Sequence, residues 1–187
     1  LANSFNGALL VSTVVVLSFL ALYYVGNKII SKSDSLHFSK PVAIGLMISI
    51  GIGLHNFGEG LAIGAAVGIG SIAFSTFLIV GFALHNTTEG IAIAAPMSRG
   101  KLMIGKLAIM GLIAGSPAIF GAWIGGFAYS PFTSVVFLAI GAGAIFQVIL
   151  VLLKWIQKEN DGNLSTLSVV SGFAIGMLVM YFTSIFV

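Results

Sequence analysis

The chain contains no cysteine, which excludes disulfides and thiolate metal sites and leaves the redox compartment unmarked. Charge is nearly as scarce. Only 7% of the 187 residues are Asp, Glu, Lys or Arg, against roughly 25% in a soluble domain. Hydrophobic residues make up 58% and mean hydropathy is +1.14. A soluble fold of that composition would expose apolar surface everywhere, so lipid is the expected solvent. The pI of 9.4 comes from eight Lys and Arg spread over connections. There is no basic stripe and no aromatic pattern of a single-strand binder, so no nucleic-acid partner is expected. No Lys or Arg precedes the first apolar stretch, so the positive n-region of a signal peptide is missing and a spanning helix is expected there. Position 1 is Leu rather than Met, which suits a processed or truncated piece of a longer chain. Enzyme signatures are missing too: there is no His-Glu-x-x-His and no Ser/His/Asp set in the apolar stretches. The chain is expected not to be an enzyme.

A bilayer-crossing helix needs about 20 mostly apolar residues. Six stretches qualify: 7–25, 41–66, 71–96, 104–127, 131–153 and 165–187. Each is continuous, without the alternation of a β-barrel strand. The expected fold class is therefore all-α, a polytopic membrane helix bundle forming a single transmembrane domain over 1–187. Lys28, Lys32 and Lys40 follow the first span, Arg99, Lys101 and Lys106 the third, Lys154 and Lys158 the fifth. The connections near Gly68–Ser71 and Ala128–Pro131 hold no basic residue. Loops 26–40, 97–106 and 154–164 thus share one side. The positive-inside rule assigns it to the cytoplasm of a multi-pass plasma-membrane protein, with both ends of the segment outside.

Of the five acidic residues, two occupy a repeated pattern, His-Asn-x-x-Glu-Gly, at His55–Gly60 and His85–Gly90. Each copy lies in an apolar stretch with no other acid or histidine. An intramembrane carboxylate is costly and marks a functional site by default. Residues four apart share a helix face, so His55 points with Glu59 and His85 with Glu89, while Asn56 and Asn86 flank the same faces. The short connection near Gly68–Ser71 makes the two helices antiparallel neighbours with both motifs near mid-membrane. Imidazole, carboxylate and amide oxygens converging there suit Zn, Fe, Mn, Co or Ni rather than Cu(I). A divalent ion would relieve the repulsion of the paired carboxylates, and binding it would release protons. Glycine at 58, 60 and 90 predicts locally weakened helix, as in cavity-lining transporter segments.

The twin motif on successive spans resembles the ZIP (Zrt/Irt-like) divalent metal transporters, whose fourth and fifth helices carry such patterns. The resemblance covers essentially the whole chain as helices three to eight of the family's eight, with two more expected before Leu1. It implies a transport metal site of His55, Glu59, His85 and Glu89, with Asn56 and Asn86 helping form an adjacent site that shares the glutamates. It implies Zn2+ as the leading transported ion, with Fe2+, Mn2+ and Cd2+ as further cargo, and elevator-like movement of a helix group that includes the motif helices. A homodimer is left open. The family usually has Pro before the motif Glu; Gly58 and Thr88 stand there, predicting a softer kink. Ser116, before Pro117, stands where prokaryotic relatives often carry a carboxylate. A membrane-embedded metal-dependent enzyme and a metal-binding channel are the alternative readings; the Glu-x-x-His order of di-iron bundles is absent.

Lesser features read more plainly. His37, among Lys32, Asp34 and Lys40, is expected to be solvated. Gln147 is the one amide of the fifth span, a pathway or helix-bridging residue. Met47, Met97, Met103, Met110, Met177 and Met180 form no cluster by spacing and read as packing. Trp123 reads as buried bulk and Trp155 as an interfacial anchor. Asn160–Asn163 is turn chemistry, lacking the later acids of an EF-hand. Gly60, Gly64 and Gly68, Gly111 and Gly115, and Gly121 and Gly125 have the spacing of close helix contacts.

Overall fold

The computed structural model describes residues 4–33, 35, 37–98 and 104–185, and among these all regular structure is helical. Helix α1 is Ser4–Ser31, α2 Lys40–Gly68, α3 Ile72–Ala94, α4 Ile104–Phe127, α5 Pro131–Glu159 and α6 Leu167–Ser184. A single 3-10 turn, Ala95–Met97, extends α3. The first five helices are long and apolar enough to cross a membrane. Helix α6 is equally apolar but, at 18 residues, spans about 27 Å at 1.5 Å per residue, just under a typical hydrocarbon core. The six helices coincide with the six expected spans, five of them long enough to cross and the sixth, α6, shorter within the described residues.

Sequence chemistry sets the helix ends. Pro41 and Pro131 stand in the first turns of α2 and α5, where a missing N–H costs nothing. Gly70, with φ +77°, closes the α2–α3 connection, and its N–H donates to Val67 O at 2.9 Å. The Asn160–Asn163 segment is the turn its composition predicts. Asp161 and Gly162 take positive φ, Gly162 N donates to Gln157 O at 2.8 Å, and Asn163 Oδ1 accepts from Ser165 N at 2.8 Å.

Helix α2 runs through the centre and is the most deeply buried element. Its heaviest contact is with α4, ahead of α5 and of its sequence neighbour α3. Glycine spacing explains this. A Cβ at Gly60 or Gly64 would overlap the backbone of Ala118 or Ala122, and a Cβ at Gly121 or Gly125 that of Phe57 or Leu61. The two small-residue rows therefore mesh backbone to backbone, as expected of glycines four apart. Gly111 and Gly115 have the same spacing but face open space. Pro117 interrupts α4 and removes the amide that would bond Ile113 O; Gly53 of α2 lies directly against that carbonyl, where Cα–H contacts are favourable.

Helix α1 packs on α5, with Ser18 Oγ donating to Ile140 O at 2.9 Å and Gly143 letting the backbones close. Apolar side chains from α2, the end of α3 with its 3-10 turn, α4 and α5 form the core, centred on Ile48, Ile52, Ile93, Met110 and Val148. Helix α6 touches the bundle chiefly through α3 and is exposed along its length, as are its Met177 and Met180.

The basic residues gather as the charge map predicts. Lys106 Nζ lies 6.0 Å from the Phe38 ring centre, and Lys154 Nζ 4.7 Å from that of Tyr23. Lys40, Lys154 and Lys158 line one cavity with Pro96. The ends of α1, α3 and α5 thus meet the starts of α2 and α4 at one basic end. Arg99 and Lys101, like Asp34 and Met103, lie outside the described residues. His37 is exposed, as expected, with a positive φ of 58°. Trp123 corrects its reading as buried bulk, being 59% exposed. The inward stripe of α4 is Met110, Ala114, Gly121 and Gly125, and Trp123, two residues past Gly121, faces away to stack edge-on with Phe120.

Candidate metal centre

Both motifs lie within unbroken helix, so the local loosening expected from Gly58 and Gly60 does not take the form of a break. Packing supplies what propensity lacks: Gly60 is pressed against α4 and Gly58 against Leu138 of α5. Buried between these walls, Glu59 is only 6% exposed. Its carboxylate is the hub of the site. Oε1 accepts from His85 Nε2 at 2.5 Å and lies 3.5 Å from His55 Nε2 one turn back. Oε2 accepts from Asn86 Nδ2 at 3.3 Å. One carboxylate thus links its own helix to both polar residues that open the second motif.

His55, Glu59 and His85 each offer a ligand atom, all within 4.8 Å of one another. Two ligands at about 2.1 Å from a tetrahedral ion sit roughly 3.4 Å apart. The His55–Glu59 separation of 3.5 Å already meets that spacing. The His85–Glu59 pair is a hydrogen bond and would open by about 1 Å as an ion replaced its proton. A cavity of about 280 Å³ adjoins the three residues, walled by Phe82 of α3 and by Leu138, Gly141 and Ala142 of α5.

Glu89 stands apart from this triad. It lies near enough to interact electrostatically with Glu59 and His85. Asn56 is 3% exposed, and its Nδ2 donates to Ala114 O of α4 at 3.1 Å. Three buried oxygens around the cluster lack a hydrogen-bond donor: Asn56 Oδ1, Asn86 Oδ1 and Glu89 Oε2. Buried acceptors left unpaired are costly, and a cation is the partner that acceptor-only oxygens call for. The donor set therefore fits a divalent ion of the imidazole-and-carboxylate class.

All six residues expected at the site lie on the facing stretches of α2 and α3, but only His55, Glu59 and His85 form the compact cluster. Gln147, 1% exposed, lies elsewhere, lining the cavity at the basic end rather than this one. Ser116 is half-buried and does not line the cluster's cavity. Two contributions lack a motif in the sequence. Phe82 sets its ring edge-on to His85 at 5.5 Å and 67°, and α5 walls the cavity with small residues. The run Gly141-Ala142-Gly143-Ala144 is the signal for the latter, since only small side chains let α5 approach α2: a Cβ on Gly141 would sit 3.2 Å from His55 Cα. No protein-family model matches the chain, and no curated protein or solved structure matches it either. The chain is an all-helical membrane bundle with a three-residue cluster suited to a metal ion.

Proposed function

We propose that the chain carries divalent transition-metal ions across a membrane, with zinc the leading cargo, in the manner of ZIP transporters. The observation that supports this reading most is the joining of the two motif copies through Glu59, with both histidines in reach of one carboxylate in the middle of apolar helices. Three oxygens around the cluster, Asn56 Oδ1, Asn86 Oδ1 and Glu89 Oε2, have no protein donor and are available to a cation. Cargo ions need ligands that can be exchanged, and a half-exposed His55 beside a cavity provides a point of entry. The side holding the lysine-rich connections would be cytoplasmic.

The test is uptake of zinc, iron, manganese and cadmium into liposomes containing the purified full-length protein. Saturable flux that falls strongly in Glu59→Gln, Glu89→Gln and His85→Ala is expected. Near-normal flux in all three variants overturns the reading, and single-channel currents would replace the carrier by a pore.

A further inference from the structure

A second cavity, of about 340 Å³, opens at the basic end of the bundle between α1, the start of α2 and the end of α5. It shares no residue with the metal cluster. Lys40, Lys154 and Lys158 line it against a single carboxylate, Glu159. The first turn of α2 also borders it through Lys40 and Pro41, and Ser39 makes no side-chain cap there. Three ammonium groups favour an anion. Gln147, 1% exposed, lies at the inner wall.

The remaining walls say what kind of molecule that is. Ile30, Ile44, Leu150 and Val151 are apolar, and Tyr23 and Trp155 are the amphipathic rings found where helices leave the hydrocarbon. Leu150 also lines a purely apolar groove of about 420 Å³ between α1 and α5, with Phe19 and Phe146. A soluble phosphate would gain nothing from these surfaces, whereas a lipid would use both. We propose that this cavity holds the headgroup of an anionic phospholipid, its phosphate among Lys40, Lys154 and Lys158. Basic pockets between helices at the membrane surface have this chemistry. Lys154 is held ready by Tyr23, its Nζ 3.4 Å from the phenol oxygen. The bound lipid would join α1 and α5 to the start of the helix that carries His55 and Glu59.

The test uses the full chain in detergent with Trp123→Phe, which leaves Trp155 as the only tryptophan, titrated with brominated lipids that quench it. Brominated phosphatidylglycerol should quench at about a tenfold lower mole fraction than brominated phosphatidylcholine, the scale of one or two lysine contacts. The triple variant Lys40→Gln, Lys154→Gln, Lys158→Gln should lose that preference while keeping its helical circular dichroism. Equal quenching by phosphatidylglycerol and phosphatidylcholine in the parent, a measurement that needs no site variant, overturns the proposal. So does a preference that survives in the triple variant, or displacement of phosphatidylglycerol by millimolar inorganic phosphate, which would mark a soluble-anion site.

Discussion

His85 Nε2 lies 2.5 Å from Glu59 Oε1, so the second motif's imidazole is held by the first motif's carboxylate rather than by its own. The two copies are alike in sequence but unequal in space. Glu59 touches both histidines and Asn86, while Glu89 lies at the margin, outside the cluster.

That inequality predicts an order of metal affinities. Glu59→Gln should weaken zinc binding by at least about tenfold, the scale seen when a ligand or its supporting partner is lost. Glu89→Gln should weaken it less. Calorimetric titration of purified protein in detergent checks the ranking, and equal losses would show that the two carboxylates coordinate alike.

The glycine seam between α2 and α4 predicts where a methyl group is not tolerated. Gly64→Ala or Gly60→Ala must push the helix backbones apart, since the added Cβ meets carbonyls rather than flexible side chains. A cost of about 1–3 kcal/mol is expected for such overpacking. Gly111→Ala, with nothing near its Cβ, should be neutral or slightly stabilising through better helix propensity. Thermal unfolding in detergent compares the three.

Asn56 ties α2 to α4 through Ala114 O. Asn56→Leu keeps the bulk but removes that donor. A loss of about 1 kcal/mol of stability follows from losing one buried hydrogen bond. Metal affinity should fall as well, because the turn of α2 that carries His55 and Glu59 loses its tie to α4. Unfolding and zinc titration on the same preparation would reveal whether the two losses travel together.

The α1–α5 contact makes a similar prediction. A Cβ built on Gly143 overlaps Val15 O and falls 2.8 Å from Ser18 Cβ, so any side chain there pushes α1 off α5. Gly143→Ala should therefore cost about 1–3 kcal/mol by overpacking, read by thermal unfolding in detergent. An unchanged midpoint would mean that α1 does not rest on α5 in this register.

Much of this was legible in the residues, for identifiable reasons. Long apolar stretches mark spans because lipid tolerates little else, and His55, Glu59 and His85 stand out because acids and imidazoles are rare there. Helix partnership was less legible. Sequence order makes α3 the neighbour of α2, yet α4 is its main partner, since glycine spacing shows which backbones can approach but not which ones meet. Gly111 and Gly115 repeat the spacing and meet nothing. Trp123 misled for a related reason: in lipid, a large aromatic ring has no need of burial, so hydrophobicity no longer separates inside from outside. The off-centre position of Glu89 depends on the rotation of α3 about its axis, which periodicity within α3 alone does not fix.

The seam of Gly60, Gly64, Gly121 and Gly125 also restricts how the molecule can deform. Backbones locked carbonyl against glycine cannot slip past each other without collision, so α2 and α4 behave as one stiff plate. The α2–α5 contact combines the backbone approach of Gly141 to His55 with side chains such as Val148 and Leu138, and a cavity lies beside it. Side-chain contacts can be exchanged in steps, and a void offers room for travel. Any displacement that carries the His55–Glu59 pair across the bilayer must therefore shear along the α2–α5 boundary and take α4 with it as ballast.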